Sequence, residues 1–453
     1  MGVWENLKNK LMAESEEMDV PLNPIPLEKR ESWIGPAIVY AGVQFSFAVV
    51  MAGSGLGLGL SIKGVILATI IGLVILSWLG DSINAYIGAK TGLPGAVIAR
   101  QSFGTLQARI VASLVMVMLH TGWWAINTTL VANAFCTAFG IDYTKNFLPW
   151  AIMIVVLGII FIIPALLGYL SMKWMDYIAV PAGLLIFIMG IYLSIKTHGM
   201  AGIVNWAPKQ TMPMSVAVST VVGTCVCQWA MIADYSRMHR PTWRDSLLMP
   251  SLLIAVGVVE IILGAIMAIG VGTYDIVQIM VSLGYPFWAY LLLFIAQWTS
   301  QIVAVYSAGL SLGNMVNAKD AKTQKLLTLL IGVLGIILGI AGILDKFMDW
   351  LLALSVVFAP LASIMSVDFF FLRKEEWEDI DGWNITATIS LIAGVVIGYY
   401  NEYKYPIGIP PLQIYVLTGV IYYVAMRIKA AIAPDRFTPE SWIAHKHSEK
   451  SVE

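Results

Sequence analysis

Charge is scarce in this sequence. Asp, Glu, Lys and Arg make up 12% of its 453 residues, about half of the ~25% usual in a soluble domain. A soluble chain of this length needs a charged surface that these residues cannot supply. The balance of 27 − 28 = −1 at pH 7 leaves no basic excess for a nucleic-acid partner. Cysteine is nearly missing too. Cys136, Cys225 and Cys227 all lie in apolar stretches. They build no disulfide framework, and two cysteines one residue apart with no nearby His make a poor zinc site. There is no Walker loop, so ATP is excluded as a driving force of that type. No His pair at metal spacing occurs within the apolar segments, which argues against an enzyme. What abounds is apolar. Hydrophobic residues are 58% and glycines number 39, together roughly 67% against about 45–50% in a soluble domain. That excludes a disordered chain and implies one membrane-embedded bundle.

Residues 1–32 are polar and mixed in charge, as in Met12–Glu17 and Glu28–Glu31. They lack the basic start and short apolar core of a signal peptide and read as a cytoplasmic tail. Crossing a bilayer as helix takes about 20 apolar residues. Twelve stretches qualify, near 33–61, 64–89, 104–138, 148–168, 174–195, 212–236, 247–272, 285–316, 324–342, 347–372, 383–400 and 410–431. With the amino terminus inside, the inner short loops hold Lys90, Arg100, Arg109, Lys173, Arg237, Arg240, Arg244, Lys319, Lys322, Lys325, Arg373 and Lys374. The outer loops hold Lys63, Lys145, Lys196, Lys209, Lys346 and Lys404. Twelve against six satisfies the positive-inside rule and predicts both termini, including a tail over 432–453, in the cytoplasm.

Two spans are irregular. The first carries Gly42 and the run Gly53-Ser54-Gly55-Leu56-Gly57-Leu58-Gly59. The sixth carries Gly223-Thr224-Cys225-Val226-Cys227-Gln228-Trp229. Glycine weakens a helix by about 1 kcal/mol relative to Ala, and unwound backbone survives in lipid only where it lines a protein cavity. Breaks in spans one and six, five apart, predict two five-helix inverted repeats, 33–196 and 197–372, with a site at the midplane, followed by two further helices over 373–431. The competing reading is that the glycines only let helices pack closely.

Polar residues inside the spans mark candidate chemistry. Trp123 and Asn127 are four apart on span three and share a face; an aromatic plane with an amide one turn away suits a flat heterocycle. Trp124 points elsewhere, and His120 reads as a core histidine. The alternative is two interface tryptophans and a packing Asn. Span eight carries Ala296-Gln297-Trp298-Thr299-Ser300-Gln301. Its hydroxyls and the Ala296 carbonyl can ligate a small hard cation, or Thr299 and Ser300 can bond back to their own helix. Asp81, Asp176, Asp234 and Asp368 sit towards span ends, and Asp234 with Arg237 reads as a charge pair at the inner end of span six. Glu260 lies deep in span seven, as a proton-coupling candidate or a structural one.

Further motifs carry a family resemblance. Tyr86-Ile87-Gly88-Ala89-Lys90-Thr91-Gly92-Leu93, Ala99-Arg100-Gln101-Ser102-Phe103-Gly104, Gly122-Trp123, Ala233-Asp234-Tyr235-Ser236-Arg237 and Tyr306-Ser307-Ala308-Gly309-Leu310 resemble the nucleobase:cation symporter-1 family, most closely its cytosine-permease branch, over about 33–431. The resemblance implies an all-α integral membrane protein of twelve helices, a leucine-transporter-type repeat of five plus five with two more. It also implies secondary transport of a nucleobase, hydantoin, allantoin or related ring with Na⁺ or H⁺. By position, it assigns substrate stacking to Trp123, a substrate amide to Asn127, as in the family's hydantoin transporter, and substrate-side places to Thr224 and Cys225. Gln228 and Gln301 complete the candidate substrate set. The family's sodium site implies carbonyls of Gly42, Phe45 and Ala296 with hydroxyls of Thr299 and Ser300. Two departures alter the pocket: Cys225 stands where relatives often carry an aromatic, with Trp229 four residues on as a replacement, and an asparagine-rich segment of span eight reads Gln301-Ile302-Val303.

The expectation is therefore alternating-access import of a planar N-heterocycle across the inner membrane. It has Na⁺ as coupling ion, no other cofactor, and no nucleic-acid or obligate protein partner. Proton coupling, or a different small solute such as an amino acid, amine or vitamin precursor, is the alternative.

Overall fold

The structure, a computed structural model, describes residues 24–167, 169–318 and 320–432. The greater part of both tails and Lys319 lie outside the described residues, as do the side chains of Lys173 and Asp176. Among the described residues, ten helices are long and apolar enough to cross a membrane. The pair Ile34–Gly42 and Phe47–Gly59, bent by 65°, makes an eleventh span. A further 19-residue helix, Ile385–Tyr403, sits where the eleventh apolar stretch was read. It is less apolar than the rest because it ends in Tyr399-Tyr400-Asn401-Glu402-Tyr403. The chain is thus an all-α integral membrane protein, with spans two to five at Ile62–Thr91, Thr105–Ala138, Phe147–Leu166 and Pro181–Val204. Spans six to ten are Met214–Met231, Trp243–Met267, Phe287–Val316, Lys322–Ile340 and Ile343–Leu372, and span twelve is Pro410–Ile432.

Burial sorts these helices. In the apolar window of span six 83% of residues are buried, in span ten 72% and in span three 67%, whereas spans four, five and twelve bury 28%, 22% and 28%. The latter face lipid with Ile, Leu and Val, and the former carry the polar side chains inside.

The breaks do not fall where glycine alone would put them. Gly53–Gly59 is regular helix. Its glycines let span seven approach: a Cβ on Gly53 would lie 2.1 Å from the Ile261 carbonyl oxygen, and one on Gly57 2.8 Å from that of Ala265. Span seven reciprocates, since a Cβ on Gly264 would meet the Val50 carbonyl oxygen at 1.9 Å. The close-packing reading therefore accounts for this run. Span one breaks earlier, between Gln44 and Phe47, where Phe45 (φ −62°, ψ 89°) and Ser46 (φ −147°, ψ 129°) leave the helical region. Span six stops at Gly223, passes through a turn at 224–227 and resumes at Gln228–Met231.

Residues 24–31 belong to the fold. Ile25 N–H donates to the Gly92 carbonyl, Glu31 pairs with the strand-like segment at His239, and Arg30 donates to the Ala89 carbonyl. This segment ties the ends of spans two and six together on one side of the membrane.

Candidate functional site

Unwinding span one frees backbone groups that lipid cannot satisfy, at a cost of several kcal/mol each. Side chains from spans seven and eight take them up. The Ser46 amide donates to Glu260 Oε1 at 2.8 Å, the Phe47 amide to Gln297 Oε1 at 2.9 Å, and the Phe45 carbonyl accepts from Ser300 Oγ at 2.6 Å. Ser46 also caps the second half-helix by accepting from Ala48 N. Glu260 is fully buried. It lies at the amino-terminal end of Phe47–Gly59, where the helix dipole favours a negative charge. Span three joins the same network: Asn127 Oδ1 accepts from Ser46 Oγ at 3.3 Å and from Gln297 Nε2 at 3.1 Å.

A cavity opens beside this network. Span one contributes Gln44, Ser46 and Val49. Span three contributes Leu119, His120, Trp123 and Asn127, and span eight contributes Ser300, Val303 and Ala304. The broken sixth span contributes Thr224, Cys227, Gln228 and Met231, with Tyr235 beyond its end. Trp123 and Asn127 thus share the wall with the turn of span six. Trp124 turns away: it is fully buried and its Nε1 donates to the Gly332 carbonyl on span nine at 3.1 Å. His120 Nδ1 lies 2.8 Å from the Met116 carbonyl. A carbonyl only accepts, so Nδ1 carries the proton and Nε2 is left as an acceptor in the neutral ring.

Span ten covers one end of the cavity. Phe347 meets Trp123 edge-on with ring centroids 6.1 Å apart. The Trp350 ring fills the space a Cβ on Gly122 would need, and the Leu351 carbonyl does the same at Gly223. The other end, at Leu119, Met231, Tyr235, Val303 and Ala304, leads towards the side on which residues 24–31 are docked.

Not every candidate from the sequence reaches the wall. Cys225 is fully buried behind it, its Sγ donating to Gln44 Oε1 at 3.4 Å. Gln301 turns to span three, where Nε2 donates to Thr128 Oγ1 at 2.8 Å. Trp229 does not replace the aromatic that Cys225 lacks. It packs edge-on against Tyr415 of span twelve and against Gly80 of span two, and Tyr235 is the aromatic that the sixth-span segment brings to the cavity. Of the five cation-ligand candidates, Phe45 and Ser300 are in direct contact. Gly42 lies in the last turn of the first half-helix and Ala296 is buried within span eight. The Thr299 side chain lies outside the described residues. Asp234 holds the Gly95 amide at 2.9 Å, while Arg237 Nε donates to the Asp234 backbone carbonyl. The Asp234 carboxylate therefore ties span six to the segment following span two.

Gln44 and Ser46 were not singled out in the sequence. The signal available was a Gln in an apolar run just ahead of the break.

Comparison with known proteins places these features in context. Residues 24–413 match the family described as permease for cytosine/purines, uracil, thiamine, allantoin. Cytosine permease of Escherichia coli (strain K12) is 26% identical over 419 residues, covering 91% of this chain and 95% of that protein. Among solved structures, the inward-facing conformation of Mhp1 superposes with a TM-score of 0.77 at 18% identity, over 90% of this chain and 93% of that one. Mhp1, a nucleobase-cation-symport-1 family transporter, in a closed conformation with bromovinylhydantoin bound, gives 0.75 at 17% identity, over 91% and 96%. A Na⁺-coupled sialic acid symporter in a substrate-bound outward-open state gives 0.63 at 15% identity, over 89% and 90%. These likenesses show a shared fold.

Proposed function

The chain belongs to the family of permeases for cytosine/purines, uracil, thiamine and allantoin, and we propose that it imports a nucleobase or closely related planar N-heterocycle by Na⁺-coupled alternating access. It is a multi-pass membrane transporter and not an enzyme. One observation carries the substrate reading. The Trp123 ring, the amides of Asn127, Gln228 and Gln44, and the Thr224 hydroxyl surround one cavity at the breaks of spans one and six. A flat ring with edge donors and acceptors stacks on the indole, worth about 1–3 kcal/mol, while the amides read its edge. Loss of a buried hydrogen-bond partner costs about 1–3 kcal/mol, so the amides discriminate among rings of equal shape.

The cation reading rests on the Phe45 carbonyl, freed by the break, meeting the Ser300 hydroxyl. Hard oxygen donors suit Na⁺, and freed carbonyls at broken helices coordinate such ions. Gly42, Ala296 and Thr299 complete the proposed set. An ion between spans one and eight joins the two groups of helices that alternating access moves apart. Phe347, Trp350 and Leu351 of span ten close the outer end in this reading, leaving access from the cytoplasm. The inverted repeats 33–196 and 197–372, both termini in the cytoplasm and residence in the inner membrane belong to the same proposal. Glu260 holds the Ser46 amide, and Asn127 the Ser46 hydroxyl, so the break itself is part of the binding site.

The test is a binding screen on the purified protein, with nucleobases, hydantoins and other pyrimidine-like rings, in Na⁺ and in choline. A ring that raises the unfolding temperature only when Na⁺ is present supports the proposal. Stabilisation by amino acids or amines, with none by any planar ring, refutes it.

A further inference from the structure

The buried face of span eleven is built on a four-residue repeat: Ser390, Gly394, Gly398 and then Glu402. The small residues bring the helix close to its neighbours. A Cβ on Gly394 would lie 2.3 Å from Thr418 Oγ1 of span twelve and 2.8 Å from Pro360 Cβ of span ten; one on Gly398 would lie 3.2 Å from Val356 Cγ1 of span ten. One turn further the stripe ends in a carboxylate that points the same way. Glu402 is 3% exposed. The side chains that interact with it are Ser219 of span six and Ser355 of span ten, both fully buried.

Both hydroxyls lie within interaction range of the Glu402 carboxylate, but neither closes a well-formed hydrogen bond to it, and both carboxylate oxygens and both hydroxyl oxygens are shut off from solvent. A buried carboxylate is expensive unless a positive charge meets it. Its surroundings are fixed by neighbouring contacts. Tyr403 OH donates to the Asp349 carbonyl, Ser215 Oγ to the Pro406 carbonyl, and Asn401 Nδ2 to Gln413 Oε1. The cluster also lies apart from the cavity, on the first half of span six and the part of span ten that follows Phe347, Trp350 and Leu351.

The geometry points to a second binding site for a small monovalent cation, formed by Glu402, Ser219 and Ser355 between spans six, ten and eleven. All available ligands are oxygen, which selects a hard ion. A single carboxylate with two neutral hydroxyls carries one negative charge, which matches Na⁺ and falls short of what a divalent ion demands. An ion here binds three helices together where span ten covers the cavity, so it stabilises the form closed at that end. The site is independent of the cation set around Phe45 and Ser300.

The test uses the full-length protein in detergent, without substrate. Its unfolding midpoint is followed as NaCl replaces choline chloride at constant ionic strength and pH. The Ser300→Ala protein, lacking a ligand of the coupling set, keeps a Na⁺-dependent rise in midpoint. Adding Glu402→Gln, which preserves side-chain size and hydrogen-bonding capacity, removes that rise. Ser355→Ala alone raises the Na⁺ concentration of half effect, and serves if the double variant does not fold. An unchanged Na⁺ response in the presence of Glu402→Gln, or the absence of any Na⁺ response in Ser300→Ala, overturns the proposal. So does a midpoint that ignores Na⁺ but follows pH only when Glu402 is present, since the carboxylate then holds a proton. Substrate–Na⁺ linkage in the parent protein reports on the coupling set separately.

Discussion

Glu260→Leu and Glu260→Gln should differ, and the difference follows from the geometry at the break of span one. The carboxylate accepts the Ser46 amide at 2.8 Å and is fully buried. Leu fills a similar volume but leaves that amide unpaired, a cost of about 1–3 kcal/mol. The expected cost of Leu is therefore about 1–3 kcal/mol. Gln retains an acceptor oxygen for the amide and should cost less, about 1 kcal/mol or below. Because Ser46 Oγ also holds Asn127, the Leu variant should bind substrate more weakly as well as unfold earlier. Thermal unfolding in detergent and equilibrium substrate binding read both effects. Parent-like behaviour of the Leu variant, or equal damage from Gln and Leu, refutes the assignment of Glu260 as the support of the break. A third outcome assigns the coupling proton to Glu260 instead: Gln binds like the parent while uptake loses its pH dependence.

Three further predictions follow from single contacts. Trp123→Ala should weaken binding by about 1–3 kcal/mol with little loss of stability, whereas Trp124→Ala, which empties a buried site and breaks the bond to Gly332, should cost about 3–5 kcal/mol of stability; a binding titration beside an unfolding curve separates the two. Gly53→Leu should prevent folding, because even a Cβ there lies 2.1 Å from the Ile261 carbonyl oxygen; a monodisperse, substrate-binding variant would contradict the packing of spans one and seven. His239, in the segment after span six, is buried with Nδ1 facing the Arg240 carbonyl, and burial holds its imidazole below the ordinary value. A lowered folded-state value means the contribution is present above about pH 6.5 and lost as pH falls below it. Hydrogen exchange at the Glu31 and Arg240 amides, corrected for its intrinsic pH dependence, should therefore accelerate in acid, and His239→Gln should abolish that acceleration.

The helices were legible because lipid demands long apolar runs, and those runs are hard to mistake. Even the helix at Ile385–Tyr403, less apolar than the others, was marked by its length and bounding loops. The break in span one was legible only in part. Glycine content drew attention to Gly53–Gly59, but those residues serve a helix–helix contact. The real break at Phe45–Ser46 is set by partners 214 and 250 residues away in sequence, Glu260 and Gln297, which no local pattern announces. Side-chain direction set a similar limit. Trp123 and Asn127 share a face by helical spacing, so their meeting could be read. Cys225, Trp229 and Gln301 belong to an unwound turn or to a helix with polar groups on several sides, and tertiary packing decided where each one points. Tyr235, taken as part of a motif at a helix end, reaches the cavity because the sixth span is interrupted before it.

The central claim, that a planar ring and the Na⁺ between spans one and eight are bound together, is tested most directly by substrate affinity at zero and saturating Na⁺, with choline holding the ionic strength. Two ligands that favour the same state tighten each other by an equal factor, roughly 5–150 for a coupling of about 1–3 kcal/mol. Affinity for the nucleobase that binds best should rise by a factor in that range with Na⁺, and Ser300→Ala combined with Thr299→Ala should erase the rise. A nucleobase affinity indifferent to Na⁺ in the parent protein, or an Na⁺ effect that survives the double substitution, would contradict the account.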